Sequence, residues 1–115
     1  MSNKGRQLPG ESRPFRDEQT GAVGWQITSD PSINHALYFL TSSSLPDEKA
    51  LIFASFRGGA ANFYRAEFPE GPITQLTDSP GINSFSAVVS EDGTKLFFTR
   101  ESQIVSLNLA DLKET

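Results

Sequence analysis

The side chains able to do chemistry are few in this sequence, and they sit beside turns. A single imidazole, His35, follows Asn34; one guanidinium, Arg57, precedes Gly58-Gly59; and another amide, Asn83, precedes Ser84. Arg57 carries the planar fork that pairs a carboxylate through two parallel hydrogen bonds, and the glycines beside it let a ligand approach the backbone closely. His35, Asn34 and Asn83 can exchange hydrogen bonds with hydroxyl groups. His35 and Arg57 also have a structural reading, His35 as the residue fixing the start of a strand and Arg57 as a solvated loop charge. Gly58-Gly59 is not a phosphate loop, because no Lys-Ser/Thr follows and no helix is expected after it. The acidic pairs Asp47-Glu48 and Glu91-Asp92 lack the spacing of a calcium loop, and Pro46-Asp47 and Asp92-Gly93 read as hairpin turns. The chain has no Cys, which excludes thiol nucleophiles, disulfides and Cys-ligated zinc. No catalytic set and no metal-ligand set is assigned to these residues.

What positions the candidates is an internal repeat. Gln26-Ile27-Thr28-Ser29-Asp30-Pro31-Ser32-Ile33-Asn34 recurs as Gln75-Leu76-Thr77-Asp78-Ser79-Pro80-Gly81-Ile82-Asn83, with Gln, Thr, Pro and Asn identical. Asp47 to Phe53 recurs as Asp92 to Phe98, and Phe63 to Phe68 matches Ile104 to Leu109 in pattern. Three blocks in one order mark a repeat of about 45 residues. Apolar runs and turn residues cut the first unit into strands at Ala36 to Ser42, Lys49 to Ser55, Asn62 to Phe68 and Ile73 to Thr77. The second gives Phe85 to Val89, Lys95 to Thr99 and Gln103 to Asn108, and Ala22 to Thr28 matches the fourth strand of a unit. The order is D, A-B-C-D, A-B-C.

Four short strands per 45-residue period are the pattern of a propeller blade, and helical spacing is nowhere sustained. The fold class is therefore all-β: a partial β-propeller of about two four-stranded antiparallel blades plus an N-terminal closing strand. Residues 1–14 form a polar extension, 15–28 the closing-strand region, 33–77 the first blade and 83–115 an incomplete second blade. The closing strand would complete the sheet of a last blade and leave no open edge. A closed ring needs on the order of 180 to 360 residues, so the expected partners are the remaining blades of a longer protein or further copies of this chain. Strands A and C run one way, B and D the other. Asn34, His35, Arg57 and Asn83 consequently share one rim, the face that commonly binds ligands. Rows such as Phe53, Phe63, Phe97 and Leu107 are expected on outer blade faces, which predicts poor solubility alone. Trp25 is expected to pack within the closing sheet, and Phe97 and Phe98 to point to opposite faces.

Composition narrows the partners. Of the 115 residues 37% are hydrophobic, nine of them Phe, enough for a packed core. Lys4, Arg6, Arg13 and Arg16 against Glu11 leave residues 1–16 at +3, so the remainder of the −4 chain carries −7. An acidic body lacks the basic stripe that nucleic acid requires, and the basic segment reads as a solvated extension. Neither a signal peptide nor an apolar run of membrane-spanning length is visible. The expectation is a cytoplasmic protein with no nucleic-acid or membrane partner.

The stretches Ser44 to Phe53 and Val89 to Phe98, each preceded by a Gln-Ile/Leu-Thr block, resemble the WD40-like repeat of TolB-type propellers. More narrowly, Phe15 to Thr28 with Thr20-Gly21, followed by Ile33-Asn34-His35-Ala36-Leu37-Tyr38-Phe39, resembles the start of the oligogalacturonate lyases. That resemblance implies cleavage of pectin-derived oligogalacturonides by β-elimination, in which a base takes the C5 proton while a metal ion or an Arg neutralises the neighbouring carboxylate. It also implies manganese, held with the catalytic His in later blades by a cluster of His residues and a Gln, none of which has a counterpart here. Substrate contacts from an acidic oligosaccharide would fall to Arg57 for the carboxylate and to His35, Asn34 and Asn83. The alternative is a TolB-like module whose rim binds a protein or peptide without chemistry.

Overall fold

The computed structural model describes residues 3–37, 45, 49–68 and 70–115. Among these residues there are ten strands: β1 Gln7–Leu8, β2 Arg13–Arg16, β3 Val23–Gln26, β4 Asn34–Ala36, β5 Ala50–Ser55, β6 Asn62–Glu67, β7 Ile73–Gln75, β8 Val88–Val89, β9 Lys95–Arg100 and β10 Gln103–Asn108. Among the described residues there is no helix, and so none long and apolar enough to cross a membrane. All pairing is antiparallel, in sheets ordered β1-β7-β6-β5-β4, β10-β9-β8 and β2-β3. The first two sheets are the two blades, with β4 and β8 as their A strands.

Strand B, C and D assignments in the first unit and B and C in the second match β5, β6, β7, β9 and β10 to within two residues at their ends. Strand A of the first unit starts earlier than expected, at Asn34, and the Tyr38 to Ser42 part of that assignment and the Pro46-Asp47 turn lie outside the described residues. Strand A of the second unit is shorter than expected. Phe85 falls in the preceding turn, because its amide is taken by the Asn83 side chain (3.0 Å) and cannot join a ladder.

The N-terminal region departs further from expectation. Ala22 to Thr28 is not a lone closing strand: β3 pairs with β2 in register from Arg13↔Gln26 to Arg16↔Val23. Its turn copies the turn between β6 and β7. The Asp17 amide donates to the Ala22 carbonyl (2.8 Å) and Gly21 to Asp17 (2.8 Å), as Glu67 does to Pro72 (3.1 Å) and Gly71 to Glu67 (2.9 Å). The hairpin is therefore the C–D half of a blade. The residues before it are tied down rather than solvated: β1 pairs outside β7 as a fifth strand, with Gly5 donating to the Gln75 carbonyl (2.7 Å) and Gln75 to that of Arg6 (2.9 Å). At the far end, Thr115 and Ser106 exchange backbone bonds (2.9 and 3.1 Å), an antiparallel bridge beside β10.

Packing follows the two-residue period of the strands. One face of blade one, with Ile52, Ala54, Phe63 and Leu76, meets one face of blade two, with Leu96, Phe98, Val105 and Leu107. Phe63 and Phe98 are in tilted contact with centroids 5.2 Å apart. The opposite face of blade one, with Phe53, Tyr64, Ala66 and Ile73, is extended by Leu51 of β5 and by Leu8 of β1 beside Ile73, and Ile27 packs against it. Thus Phe53, Phe63 and Leu107 do not form open outer rows; Phe63 and Leu107 are buried where the two blades meet, Phe53 lies on the face that packs with the N-terminal region, and only Phe97 of that set stays exposed. Phe97 and Phe98 do face opposite ways, at 39% and 1% exposure. Trp25 packs edge-on against Phe68 of blade one (6.5 Å) rather than within its own sheet.

Candidate functional site

The register of β4 on β5 assembles the rim. Asn34 lies opposite Ser55 and His35 opposite Ala54, while Phe56 donates its amide to the Ile33 carbonyl (2.9 Å). Arg57, two residues past Ser55, therefore turns back over Asn34. Of the sequence-predicted residues, Asn34 and Arg57 are brought together, while His35, the next residue of β4, lies on the other face of the sheet against Phe85.

Arg57 is neither a solvated charge nor an open carboxylate clamp. Its side chain is only 5% exposed, and Nη1 and Nη2 meet Glu11 Oε2 and Oε1 at 2.9 and 3.3 Å. Nη2 also donates to Asn34 Oδ1 (3.0 Å) and Nε to Ser55 Oγ (2.9 Å). The guanidinium carbon lies 5.0 Å from the Tyr64 ring centroid and 5.6 Å from that of Phe53, within cation–π range. Glu11 is used equally fully, since Oε1 also accepts from the amides of Ser29 (3.0 Å) and Asp30 (3.2 Å). A buried guanidinium needs its charge paired and its donors satisfied, and this network does both. Burial raises the Tyr64 phenol above its usual range, an effect the nearby Arg57 charge opposes.

The other amides are structural as well. Asn34 Nδ2 donates to the carbonyls of Ser32 (2.9 Å) and Asp30 (3.2 Å), closing the turn that leads into β4. The hydroxyl and amide of Ser32 bond to the Asp30 carboxylate and hold it below the usual range. Asn83 caps its own turn through Phe85 and does not meet Asn34 or Arg57. His35 Nδ1 lies 2.7 Å from the Ala36 carbonyl, so Nδ1 carries the hydrogen; Nε2 is buried and has no partner among the described residues. Its ring is stacked on Phe85 at 4.5 Å and 17°, with Phe56 at 6.4 Å. His35 also lines an open cavity of about 230 Å³ with Ile27, Thr28, Asn34, Ala36, Leu51, Ile52 and Phe53.

Two participants escaped the sequence reading. Glu11 was visible only as the lone acid of a basic segment, and its partner is 46 residues away. Phe85 carried the pattern of a strand residue. Among the described residues no group of three His, Cys, Asp or Glu side chains is placed to hold a metal ion.

A family model for oligogalacturonate lyase matches residues 2–115. The chain belongs to the oligogalacturonate lyase family. It is 27% identical over 112 residues to the oligogalacturonide lyase of Pectobacterium atrosepticum, covering 96% of this chain and 29% of that one. The structure of an oligogalacturonate lyase in complex with manganese superposes with a TM-score of 0.89 at 29% identity, covering 100% of this chain and 31% of the other. This member of the family thus spans about three tenths of the length of the relatives it matches. TolB from Acinetobacter baumannii aligns with 96% of this chain and 31% of its own at 23% identity and a TM-score of 0.58, which shows the shared propeller architecture alone.

Proposed function

We propose that these blades are the N-terminal part of an enzyme that cleaves pectin-derived oligogalacturonides by β-elimination, and that they supply scaffold and substrate rim rather than the reacting groups. The observation that carries this reading is the family match along residues 2–115, together with a fold that superposes on a manganese-bound oligogalacturonate lyase. Abstraction of the C5 proton needs a base within hydrogen-bond reach and a cation on the adjacent carboxylate. Neither fits the described residues. The single imidazole keeps its Nδ1 on the Ala36 carbonyl with Nε2 buried, Arg57 spends its charge on Glu11, and no donor set for manganese is gathered. What these residues can do is hold the rim rigid, with the Glu11–Arg57–Asn34 network fixing the turn that presents His35.

A full-length protein carrying this segment, folded and loaded with manganese, is expected to generate unsaturated uronate ends from digalacturonate, followed as ultraviolet absorbance. Absence of that signal from such a preparation would overturn the reading. The 115-residue chain alone is expected to produce none.

A further inference from the structure

Resting on the lyase reading, we propose that Phe85 is a stacking platform for the pyranose ring of a galacturonide. The ring is 59% exposed, whereas Phe63 and Phe98, in contact where the blades meet, are buried. An exposed Phe alone means little, but the loop that carries this one is fixed at both ends. Asn83 donates its amide to the Thr99 carbonyl (3.1 Å), and Phe85 donates its own to Asn83 Oδ1 (3.0 Å). Ser86 closes the turn, its Oγ donating to the Asn83 carbonyl (2.7 Å) and accepting from the Thr99 amide (2.9 Å). One face of the ring rests on His35 at 4.5 Å, which orients it. The loop is thus pre-organised around an aromatic ring that packs into no core of its own blade, so little ordering cost remains when a ligand arrives.

The ligand chemistry follows from the surface. An aromatic face carries negative quadrupole density and attracts polarised C–H groups. A galacto-configured pyranose has an axial hydroxyl at C4, which gathers the hydrogens of C3, C4 and C5 on one apolar face. Ile33 and Phe56, 67% and 37% exposed, extend the apolar surround next to His35. The guanidinium beside them is neutralised by Glu11, so the platform reads the ring and not the carboxylate. Its contribution should therefore be insensitive to salt, unlike a charge contact.

The test is binding of trigalacturonate and of a neutral β-1,4-linked galactotriose to the intact chain, by saturation-transfer nuclear magnetic resonance and titration at low and high salt. Saturation is expected at H3, H4 and H5. Phe85→Ala and Phe85→Leu should weaken binding about five- to tenfold at both salt concentrations, Phe85→Trp should retain it, and Phe15→Ala, an exposed Phe on the N-terminal hairpin, should leave it unchanged. Circular dichroism confirms that each variant is folded. Binding of the neutral sugar with this pattern but none of the acidic one would uphold the platform while defeating the lyase reading. Equal binding by all variants would overturn the platform and leave that reading standing. Binding of neither sugar, or loss of self-association in Phe85→Ala without any change in sugar affinity, would also overturn it.

Discussion

Neighbouring residues at the centre of each blade give different answers to one question. Phe63 and Tyr64 of β6 point to opposite faces of blade one, and both are buried, at 0% and 1% exposure. Phe97 and Phe98 of β9 point to opposite faces of blade two, yet one is 39% exposed and the other 1%. The amino acids are much alike; the cover differs. Blade two covers one side of blade one, and on the other Ile27 packs against the face that Leu8 extends beside Ile73, whereas Val88, Phe97 and Ile104 of blade two remain exposed. A blade face is thus an interface by sequence and a core only by company. The polar extension read as solvated and the closing-strand region after it supply part of that company, through Leu8 and Ile27.

The largest effect is expected where the two blades meet. Phe63→Ala empties a site packed against Phe98 and should cost about 3–5 kcal/mol, against less than about 1 kcal/mol for Phe97→Ala, both read from denaturant melts. A Phe97→Ala cost as large as that of Phe63→Ala would show that the outer face of blade two is covered in solution, and the contrast between the blades would disappear.

Next comes the latch that holds the N-terminal cover. Arg57→Met leaves Glu11 with an unpaired charge and should destabilise by about 3 kcal/mol, with faster amide exchange in β1 and β3. Glu11→Gln should show coupling to it above about 1 kcal/mol in a double-mutant cycle, since the two share one network. Additive effects would mean that the cover is held by Leu8 and Ile27 alone.

The repeat was legible because it is written in residues with one physical job. Gln75 Nε2 donates to the Thr77 carbonyl at 2.8 Å, and Gln26 Nε2 to the Thr28 carbonyl at 3.0 Å, the same bond in both units. Such local bonds leave a local signature, and the blade strands follow from it. β2 left none: Arg13-Pro14-Phe15-Arg16 is exposed along its length and shows no alternation, so only its partner β3 identifies it. Arg57 and Asn34 were found as rim residues, but their roles depend on Glu11, a contact across 46 residues that no spacing announces. The Gln pair offers a third test. Gln75 is 3% exposed and Gln26 lies at the surface, so Gln75→Ala should cost about 1–2 kcal/mol and Gln26→Ala under about 0.5 kcal/mol, by thermal melts. Equal costs would mean that the N-terminal half-blade is as well covered as blade one.

The smallest effect belongs to the turn of blade two, where Asp92 collects hydrogen bonds from the Ser90 hydroxyl (2.7 Å), the Thr94 hydroxyl (2.7 Å) and the Thr94 amide (3.1 Å). These donors favour the ionised carboxylate and hold its pKa down at about 2, against an ordinary value of 3.8. Since the folded value lies below the unfolded one, the contribution is fully present above the ordinary value and is lost as pH falls through about 2. The adjacent Gly93, at φ 73°, supplies the left-handed residue that closes the turn, so the carboxylate works on a hairpin already shaped. Asp92→Asn should accordingly lower the melting temperature slightly at neutral pH and flatten the decline between pH 4 and pH 2. An acid limb identical in the two proteins would place that decline on other carboxylates, foremost Glu114. Burial raises that group, but the Arg100 and Lys4 hydrogen bonds outweigh it, leaving its pKa below the usual range; it clasps the N-terminal segment to blade two. Acid would then loosen the join between cover and blade rather than a single turn, and amide exchange at Gly5 and Arg6 would rise before that at Lys95.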